Sequence, residues 1–196
     1  MVVAVLVVVA GYVIGTLPTA VVVGRHAGHD PLREGSQNPG ATNVYRTSGR
    51  RAGVLVLAGD LLKGALAAGL GWAVGGHLLG VATGAAAVAG HVLPITRLRH
   101  GGKGVATCAG MVLVLFPVVG IAAALLWVAL ARLTHRPSVA SLAAAAGIPA
   151  GVALTGGRGA EVAIVVSLAV VVVLRHRANI ARLAHGTERP VDAGQP

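Results

Sequence analysis

The sequence is short of charged residues, aromatic residues and cysteine. Of its 196 residues only 11% are charged and 55% are hydrophobic. A soluble domain usually has roughly a quarter of its residues charged, so this composition cannot provide an ordinary soluble surface. The single cysteine, Cys108, excludes an internal disulfide and a Cys-rich metal site. Small residues are abundant and suit close helix contacts in membranes, so the composition predicts an integral membrane protein.

Acidic residues are scarce as well. Six Asp and Glu stand against sixteen Lys and Arg, which gives a net charge of +10. Such an excess can indicate a nucleic-acid partner. Here, however, the basic residues lie in short patches between apolar runs, where the positive-inside rule places them in membrane proteins. No nucleic-acid partner is therefore predicted.

Seven apolar runs are candidates for membrane spans, each of which needs about 20 residues. They cover residues 2–24, 52–74, 78–95, 104–116, 118–133, 139–154 and 162–174. The first run lacks the basic start and cleavage site of a signal peptide, so we expect it to be retained. The dipeptide Phe116-Pro117 is either a turn between two short helices or a kink in one long helix. The first alternative gives seven spans and the second gives six.

The loop charges favour seven spans. With seven, nearly all Lys and Arg residues fall on one side, leaving Arg158 on the other and Lys63 inside a span. With six, the basic loops after Leu133 would face the opposite compartment from the earlier ones. The basic side of a membrane protein faces the cytoplasm. The prediction is an all-α bundle of seven transmembrane helices in one domain over residues 1–196, with the N-terminus outside and the C-terminus cytoplasmic.

This topology brings three polar segments to the cytoplasmic face. They are residues 34–43 followed by Arg46, residues 90–94 followed by 99–107, and residues 175–188. In the second segment, Gly102-Lys103 is followed by Gly104 instead of Ser or Thr, so it is not a Walker A loop. Its glycines can still direct backbone N–H groups at a phosphate, and Lys103 adds a positive charge. The alternative is a glycine-rich turn whose lysine only obeys the positive-inside rule.

The first segment has hydroxyl and amide side chains at Ser36, Asn38, Thr42 and Asn43. It is either a binding loop or an ordinary surface loop in which Thr42 or Asn43 caps a helix. Its length and uncharged middle favour binding, and Arg46 can clamp a phosphate with two hydrogen bonds.

In the third segment, Arg175, Asn179 and Arg182 have the spacing of one helix face. The two arginines can instead anchor the helix to lipid phosphates. That alternative does not explain Asn179. Glu188 is a candidate partner for the arginines.

Three further polar residues belong to the apolar runs. His91 is a candidate base at the cytoplasmic end of its span, or a hydrogen-bonded packing residue. Asp60 and Lys63 are three residues apart and can pair on one helix face inside the second span. Charges inside a membrane are costly and usually face a protein interior or a wet cavity. The pair either braces the bundle or orients groups that touch a substrate.

Together, these segments resemble the bacterial acyl-phosphate:glycerol-3-phosphate acyltransferases, which begin phospholipid synthesis. The family's motifs are matched by residues 35–43 with Arg46, by 90–94 with 101–107, and by 176–183 with 186–188. Asp60, Lys63, Gly64, Ser138 and Ser141 also fit, so the resemblance covers nearly the whole chain. Two departures are Gln37, where the family usually has Gly, and Leu93, where an aromatic residue is usual.

The resemblance implies transfer of a fatty acyl group from acyl phosphate to glycerol 3-phosphate, with no metal or other cofactor. It implies catalytic roles for His91, Ser36 and Arg46, although His91 is either a base or only a positioning group. Substrate-binding residues would be Asn38, Thr42, Asn43, Gly101, Gly102, Lys103, Gly104, Thr107, Asn179, Arg182 and Glu188, and Asp60, Lys63, Ser138 and Ser141 would support them. Other expected partners are membrane lipids and a soluble enzyme that makes acyl phosphate, at the bacterial cytoplasmic membrane. The alternative is a transporter of phosphate or organic anions, or a scaffold that binds anionic lipid.

Overall fold

The computed structural model describes residues 1–97 and 101–192, and Arg99 and His100 of the predicted 99–107 segment lie outside these residues. Within them the chain is helical and contains no strand, which confirms the predicted all-α class. The helices are α1 (Val2–Gly15), α2 (Thr19–His26), α3 (Ala41–Val92), α4 (Val105–Leu115), α5 (Pro117–Thr134), α6 (Pro137–Leu154), α7 (Gly159–Arg175) and α8 (Arg177–Ala184). A short 3₁₀ turn, Ile95–Arg97, follows α3.

Helix α3 is interrupted at three glycines. Gly49, Gly75 and Gly76 have non-helical backbone angles, which divide α3 into stretches 41–48, 50–74 and 77–92. The break at Gly75 and Gly76 separates the predicted runs 52–74 and 78–95. The second run ends as a helix at Val92 instead of residue 95, because Pro94 disfavours helical geometry at the residue before it.

Four helical segments of the described chain are long and apolar enough to cross a membrane, and a fifth is added if α7 and α8 count as one bent span. One of them, Val2–His26, combines α1 and α2 across a break at residues 16–18. Helix α4 has only 11 residues. The prediction of a helical membrane protein is supported, while the count of seven spans stays a prediction.

Glycines allow α3 to pack closely against its neighbours. A side chain at Gly64 would collide with the carbonyl of Thr107 in α4, and one at Gly110 would collide with the carbonyl of Leu61 in α3. Gly120 of α5 lies against the backbone of Leu113, so α5 packs on α4 across the break at residue 116. Such backbone approach is the usual packing mode of membrane helices.

The connections between helices gather at two ends of the bundle. At one end, Arg46 near the start of α3 contacts the carbonyls of Arg189 and Pro190, and the Val191 N–H donates to the carbonyl of His135. At the other end, His77 contacts Glu161 and the carbonyl of Leu115. The three polar segments of the sequence meet at the first of these ends.

Candidate active site

Asn43 holds the loop 34–40 in shape. Its Oδ1 accepts from the Ser36 N–H at 2.8 Å, and its Nδ2 donates to the carbonyls of Pro31 and Glu34, each at 3.1 Å. The side chain is 2% exposed. Both amide donors are thus used within the protein, and no side chain caps α3 at its N-terminus. Asn43 shapes the loop, and its predicted contact with substrate stays untested.

Two loop positions have left-handed backbone geometry. Gly35 has φ +62° and Gln37 has φ 57°. A side chain at Gly35 would also collide with Oδ1 of Asn43. Residues with a Cβ adopt this region at a cost, so the glycine usual in the family at position 37 has a physical reason. Beside these positions, the Ser36 side chain is exposed, while Asn38 and Thr42 are partly buried.

The glycine loop, residues 101–104, lies directly against His91. The Gly102 N–H donates to the His91 carbonyl at 3.1 Å, and a side chain at Gly102 would collide with the His91 ring. Gly104 has φ +86° and precedes the first residue of α4. Glycine is therefore required at two points, once for close approach and once for backbone geometry.

Arg175 binds this loop from the opposite side. Its Nη2 donates to the Gly101 carbonyl at 2.6 Å and its Nε donates to the Gly102 carbonyl at 3.2 Å. The chain bends by 57° between α7 and α8, so Arg175 does not share a helix with Asn179 and Arg182. The predicted single helix face is wrong because the spacing assumed one continuous helix. The three side chains nevertheless contact one connected set of groups.

Lys103, Asn179 and Glu188 form a hydrogen-bonded chain. Lys103 Nζ donates to Asn179 Oδ1 at 2.5 Å, and Asn179 Nδ2 donates to Glu188 Oε1 at 2.6 Å. Ser138 donates to the same carboxylate oxygen at 2.8 Å, and Arg182 Nε donates to Oε2 at 2.6 Å. The carboxylate of Glu188 thus links α6, α8 and the glycine loop. The interpretation of Glu188 as a partner of an arginine is confirmed for Arg182.

Burial and the neighbouring charges set the ionisation of this chain. Burial lowers the pKa of Lys103 to about 8, with nearby arginines adding to the effect and Glu188 opposing it. Burial disfavours ionisation of Glu188, but hydrogen bonds from Asn179, Ser138 and Arg182 outweigh it and hold its pKa below the usual range. At neutral pH Glu188 is therefore ionised. Lys103 is charged at this pH and loses its proton when the pH rises past about 8.

His176 is a polar group of this region to which sequence reasoning gave no role. It is 2% exposed, and its Nδ1 lies 2.8 Å from the Val172 carbonyl, to which it donates. Burial and the nearby Lys103 charge lower its pKa to about 4. The ring is neutral near pH 7, with its proton on Nδ1 and an unprotonated Nε2. The sequence feature that could have pointed to His176 is its position between Arg175 and Asn179 in the third polar segment.

His91 belongs to a second polar cluster. Its Nδ1 lies 3.6 Å from Oδ1 of Asp60, which also pairs with Lys63 at 2.8 Å and accepts a hydrogen bond from the Thr19 hydroxyl. Lys63 Nζ donates to the Leu17 carbonyl at 3.3 Å. Asp60 and Lys63 thus pair as predicted, and His91 lies beside this pair. A small pocket is lined by Thr19, Pro39, Asp60, Lys63, His91 and Gly102.

Arg46 lies beside the first cluster and is held by the C-terminal segment. Its Nη2 donates to the Arg189 carbonyl at 2.9 Å and its Nε to the Pro190 carbonyl at 3.1 Å. Burial lowers its pKa, and the charge of Glu188 opposes this. The guanidinium stays charged and its remaining N–H groups are not used by these two bonds.

Two further predicted residues, Thr107 and Ser141, make no hydrogen bond to these groups within the described part of the chain, and their roles stay predictions. Thr107 is fully buried where α3 and α4 pack, and within the described chain its hydroxyl has no hydrogen-bond partner. Ser141 donates to the Pro137 carbonyl at 2.8 Å and accepts from Trp127 at 3.0 Å. The hydrogen bonds of Ser141 thus join α5 and α6, whereas Ser138 hydrogen-bonds to Glu188. No group of three or more His, Cys, Asp and Glu side chains able to hold a metal is found among residues 1–97 and 101–192.

A family model described as glycerol-3-phosphate acyltransferase matches residues 5–186. The chain belongs to this acyltransferase family. A glycerol-3-phosphate acyltransferase of Burkholderia pseudomallei strain K96243 is 45% identical over 186 residues, covering 92% of this chain and 91% of the relative. The resemblance seen in the sequence is thereby confirmed.

Two solved structures of the acyltransferase family have the same fold. Both are of PlsY (YgiH), an integral membrane glycerol 3-phosphate acyltransferase. The glycerol 3-phosphate form gives a TM-score of 0.91 at 32% identity, covering 95% of this chain and 94% of PlsY. The lysophosphatidic acid form gives a TM-score of 0.88 at 31% identity with the same coverage. The chain is therefore a membrane acyltransferase of the PlsY type.

Proposed function

We propose that this chain transfers a fatty acyl group from acyl phosphate to the 1-hydroxyl of glycerol 3-phosphate, giving lysophosphatidic acid and phosphate. The observation that carries the proposal is the position of the glycine loop. It joins the Lys103–Asn179–Glu188 chain on one side to the His91–Asp60–Lys63 cluster on the other. A phosphate-binding group and a candidate base thus flank one loop.

Both substrates carry phosphate, which matches the cationic groups at this end of the bundle. Lys103 and Arg46 supply charge from two different segments, and Arg182 adds a third. We assign the glycine loop and Lys103 to one phosphate, and Arg46 to the other phosphate or to the oxyanion that develops on the acyl carbonyl. Ser36 and Asn38 lie on the loop and Thr42 in the first turn of α3, the helix that carries Arg46, and we propose that all three orient the substrates.

In the reaction, the glycerol 1-hydroxyl oxygen attacks the acyl carbonyl carbon and the bond from that carbon to the phosphate oxygen breaks. The hydroxyl proton must leave during this step. His91 is the candidate base, since Asp60 lies 3.6 Å from its Nδ1 and Gly102 packs on its ring. The departing phosphate is the rival acceptor of the proton, and in that case His91 would only position substrate.

The proposal places the chain as a single domain of seven spans in the bacterial cytoplasmic membrane, with the active site facing the cytoplasm. The two groups of connections support this arrangement. The basic polar segments meet at one end, and the connections around residues 75–76, 116–117 and 155–161 meet at the other. A soluble enzyme that makes acyl phosphate is the expected donor partner, and membrane lipids surround the apolar helix faces.

The deciding experiment incubates the purified protein with labelled glycerol 3-phosphate and palmitoyl phosphate, without acyl-CoA or acyl carrier protein. We expect labelled lysophosphatidic acid and an equal amount of phosphate. Lys103→Ala should lose most activity. Arg132→Gln removes the same charge at an exposed position in the last turn of α5, outside the motifs, and should keep activity. Uptake of glycerol 3-phosphate into protein-containing vesicles without product would overturn the proposal in favour of a transporter.

A further inference from the structure

Arg175 has contacts that a lipid anchor does not need. Its side chain is partly buried and points at the glycine loop, where two of its nitrogens donate to two successive carbonyls, those of Gly101 and Gly102. We propose that Arg175 is a positioning residue that fixes the orientation of these two peptide groups and thereby sets the phosphate affinity of the site. This inference rests on the proposed function, and it adds a residue outside the predicted site.

The glycine loop needs an outside contact to hold one orientation. Glycine peptides rotate easily because no side chain restricts them, so a loop built on Gly101, Gly102 and Gly104 does not hold one orientation by itself. A phosphate is attracted by N–H groups and repelled by carbonyl oxygens. With the carbonyls of Gly101 and Gly102 bound to Arg175, the negative ends of both peptide dipoles face the guanidinium and cannot also face a phosphate.

His91 holds the loop at a second point. The Gly102 N–H donates to the His91 carbonyl, and the Gly102 Cα lies against the His91 ring. The same peptide segment continues into Lys103, whose ammonium group donates to Asn179. A change in the orientation of the Gly101 and Gly102 carbonyls would therefore move Lys103, which we assign to the phosphate.

Arginine is the residue type that suits these two contacts. A guanidinium presents several N–H groups in a rigid plane and can bind two carbonyls at once. The Arg175 bonds use Nε and Nη2, two nitrogens on one edge of that plane. Lysine has a single nitrogen on a flexible stem, so it can keep the charge but not this geometry. Arg132, in the last turn of α5, is exposed, carries the same charge and lies outside the motifs, which makes it the matched control.

The test compares purified Arg175→Met, Arg175→Lys and Arg132→Met in the same detergent. For each protein, KM for glycerol 3-phosphate, KM for palmitoyl phosphate, kcat and the thermal unfolding midpoint are measured. We expect Arg175→Met to raise the KM of one phosphorylated substrate by about tenfold or more, with a smaller change in kcat and an unfolding midpoint close to wild type. Arg175→Lys should lie between it and wild type, and Arg132→Met should match wild type.

A second measurement does not depend on turnover. Inorganic phosphate should raise the unfolding midpoint of the wild-type protein and of Arg132→Met, and this rise should be smaller in Arg175→Met. The inference is overturned if both KM values and the phosphate effect are unchanged in Arg175→Met. It is also overturned if kcat and the unfolding midpoint fall together with a rise in both KM values, as in a damaged fold. It is also overturned if phosphate has no effect on wild type. If the wild-type protein shows no acyl transfer but its stabilisation by phosphate depends on Arg175, only the proposed function is contradicted.

Discussion

Asn179 and Glu188 share a hydrogen bond of 2.6 Å in which the amide Nδ2 donates to the carboxylate. That bond also determines the direction of the other end of the amide, because Oδ1 then faces the ammonium group of Lys103. Asn179 is suited to this place since it presents a donor to an anion and an acceptor to a cation. Both residues are buried, so the pairing is not weakened by solvent.

Replacement of Asn179 by Asp should therefore weaken the site although the side-chain shape is nearly unchanged. The new carboxylate would face that of Glu188, and it would compete with a phosphate for Lys103. We expect a loss of stability of about 1–3 kcal/mol and a higher KM for a phosphorylated substrate. Thermal unfolding and steady-state kinetics measure the two effects. Normal values for Asn179→Asp would show that the amide orientation does not matter, and exposed Ala178→Ser on the same helix is the control.

The lowered pKa of Lys103, about 8, predicts a pH dependence. As pH rises through this value in the free enzyme, the ammonium group loses its proton and its attraction for phosphate, so kcat/KM should fall. Bound phosphate favours the charged lysine, so kcat at saturation should fall only at higher pH. Lys103→Arg, which stays charged over this range, should remove the decline in kcat/KM. A decline that persists unchanged in Lys103→Arg would assign it to another group.

The left-handed geometry of Gln37 predicts that glycine is tolerated there. Gln37→Gly removes a conformational cost of roughly 1–2 kcal/mol, while the greater freedom of glycine in the unfolded chain cancels about 0.4–1 kcal/mol of that gain. We expect an equal or higher unfolding midpoint and retained activity. Gly35→Ala should have the opposite effect, since its Cβ would meet Oδ1 of Asn43. A lower midpoint for Gln37→Gly would contradict this view of the loop.

The proposed orientation can be tested with single cysteines in a Cys108→Ser background, because Cys108 is the one native cysteine and is buried. Thr155 and His185 are exposed and lie at opposite ends of the bundle in the proposed topology. A membrane-impermeant maleimide should label Thr155→Cys in intact cells, and His185→Cys only in inverted vesicles. Labelling of both from the same side would exclude seven spans with this orientation.

The sequence predicted the helical membrane class, the family and the polar segments, because hydropathy, loop charge and motif order are local properties of the chain. It did not predict the contacts of Arg175. The bend between α7 and α8 lies at His176, and neither Pro nor Gly marks this place in the sequence. The spacing of Arg175 and Asn179 therefore suggested one helix face. The bonds from Arg46 to the carbonyls of Arg189 and Pro190 join residues more than 140 positions apart, which only the packed bundle brings together.

At the far end of the bundle, His77 and Glu161 form a pair whose loss should affect stability and leave substrate binding unchanged. His77 Nδ1 lies 2.8 Å from Oε1 of Glu161, its Nε2 lies 2.8 Å from the Leu115 carbonyl, and Glu161 Oε2 also accepts from the Arg158 N–H. These bonds connect α3, the end of α4 and the start of α7. Phe116 meets the His77 ring edge-on, with 4.9 Å between ring centroids.

A double-mutant cycle with His77→Ala and Glu161→Gln measures this connection. Each single change should lower the unfolding midpoint in detergent. The double mutant should lose less stability than the sum of the two, with a coupling of about 0.5–3 kcal/mol. Both KM values should stay at wild type because the pair lies at the opposite end from the glycine loop. Additive losses would show that His77 and Glu161 act independently, and a raised KM would show that the two ends of the bundle are coupled.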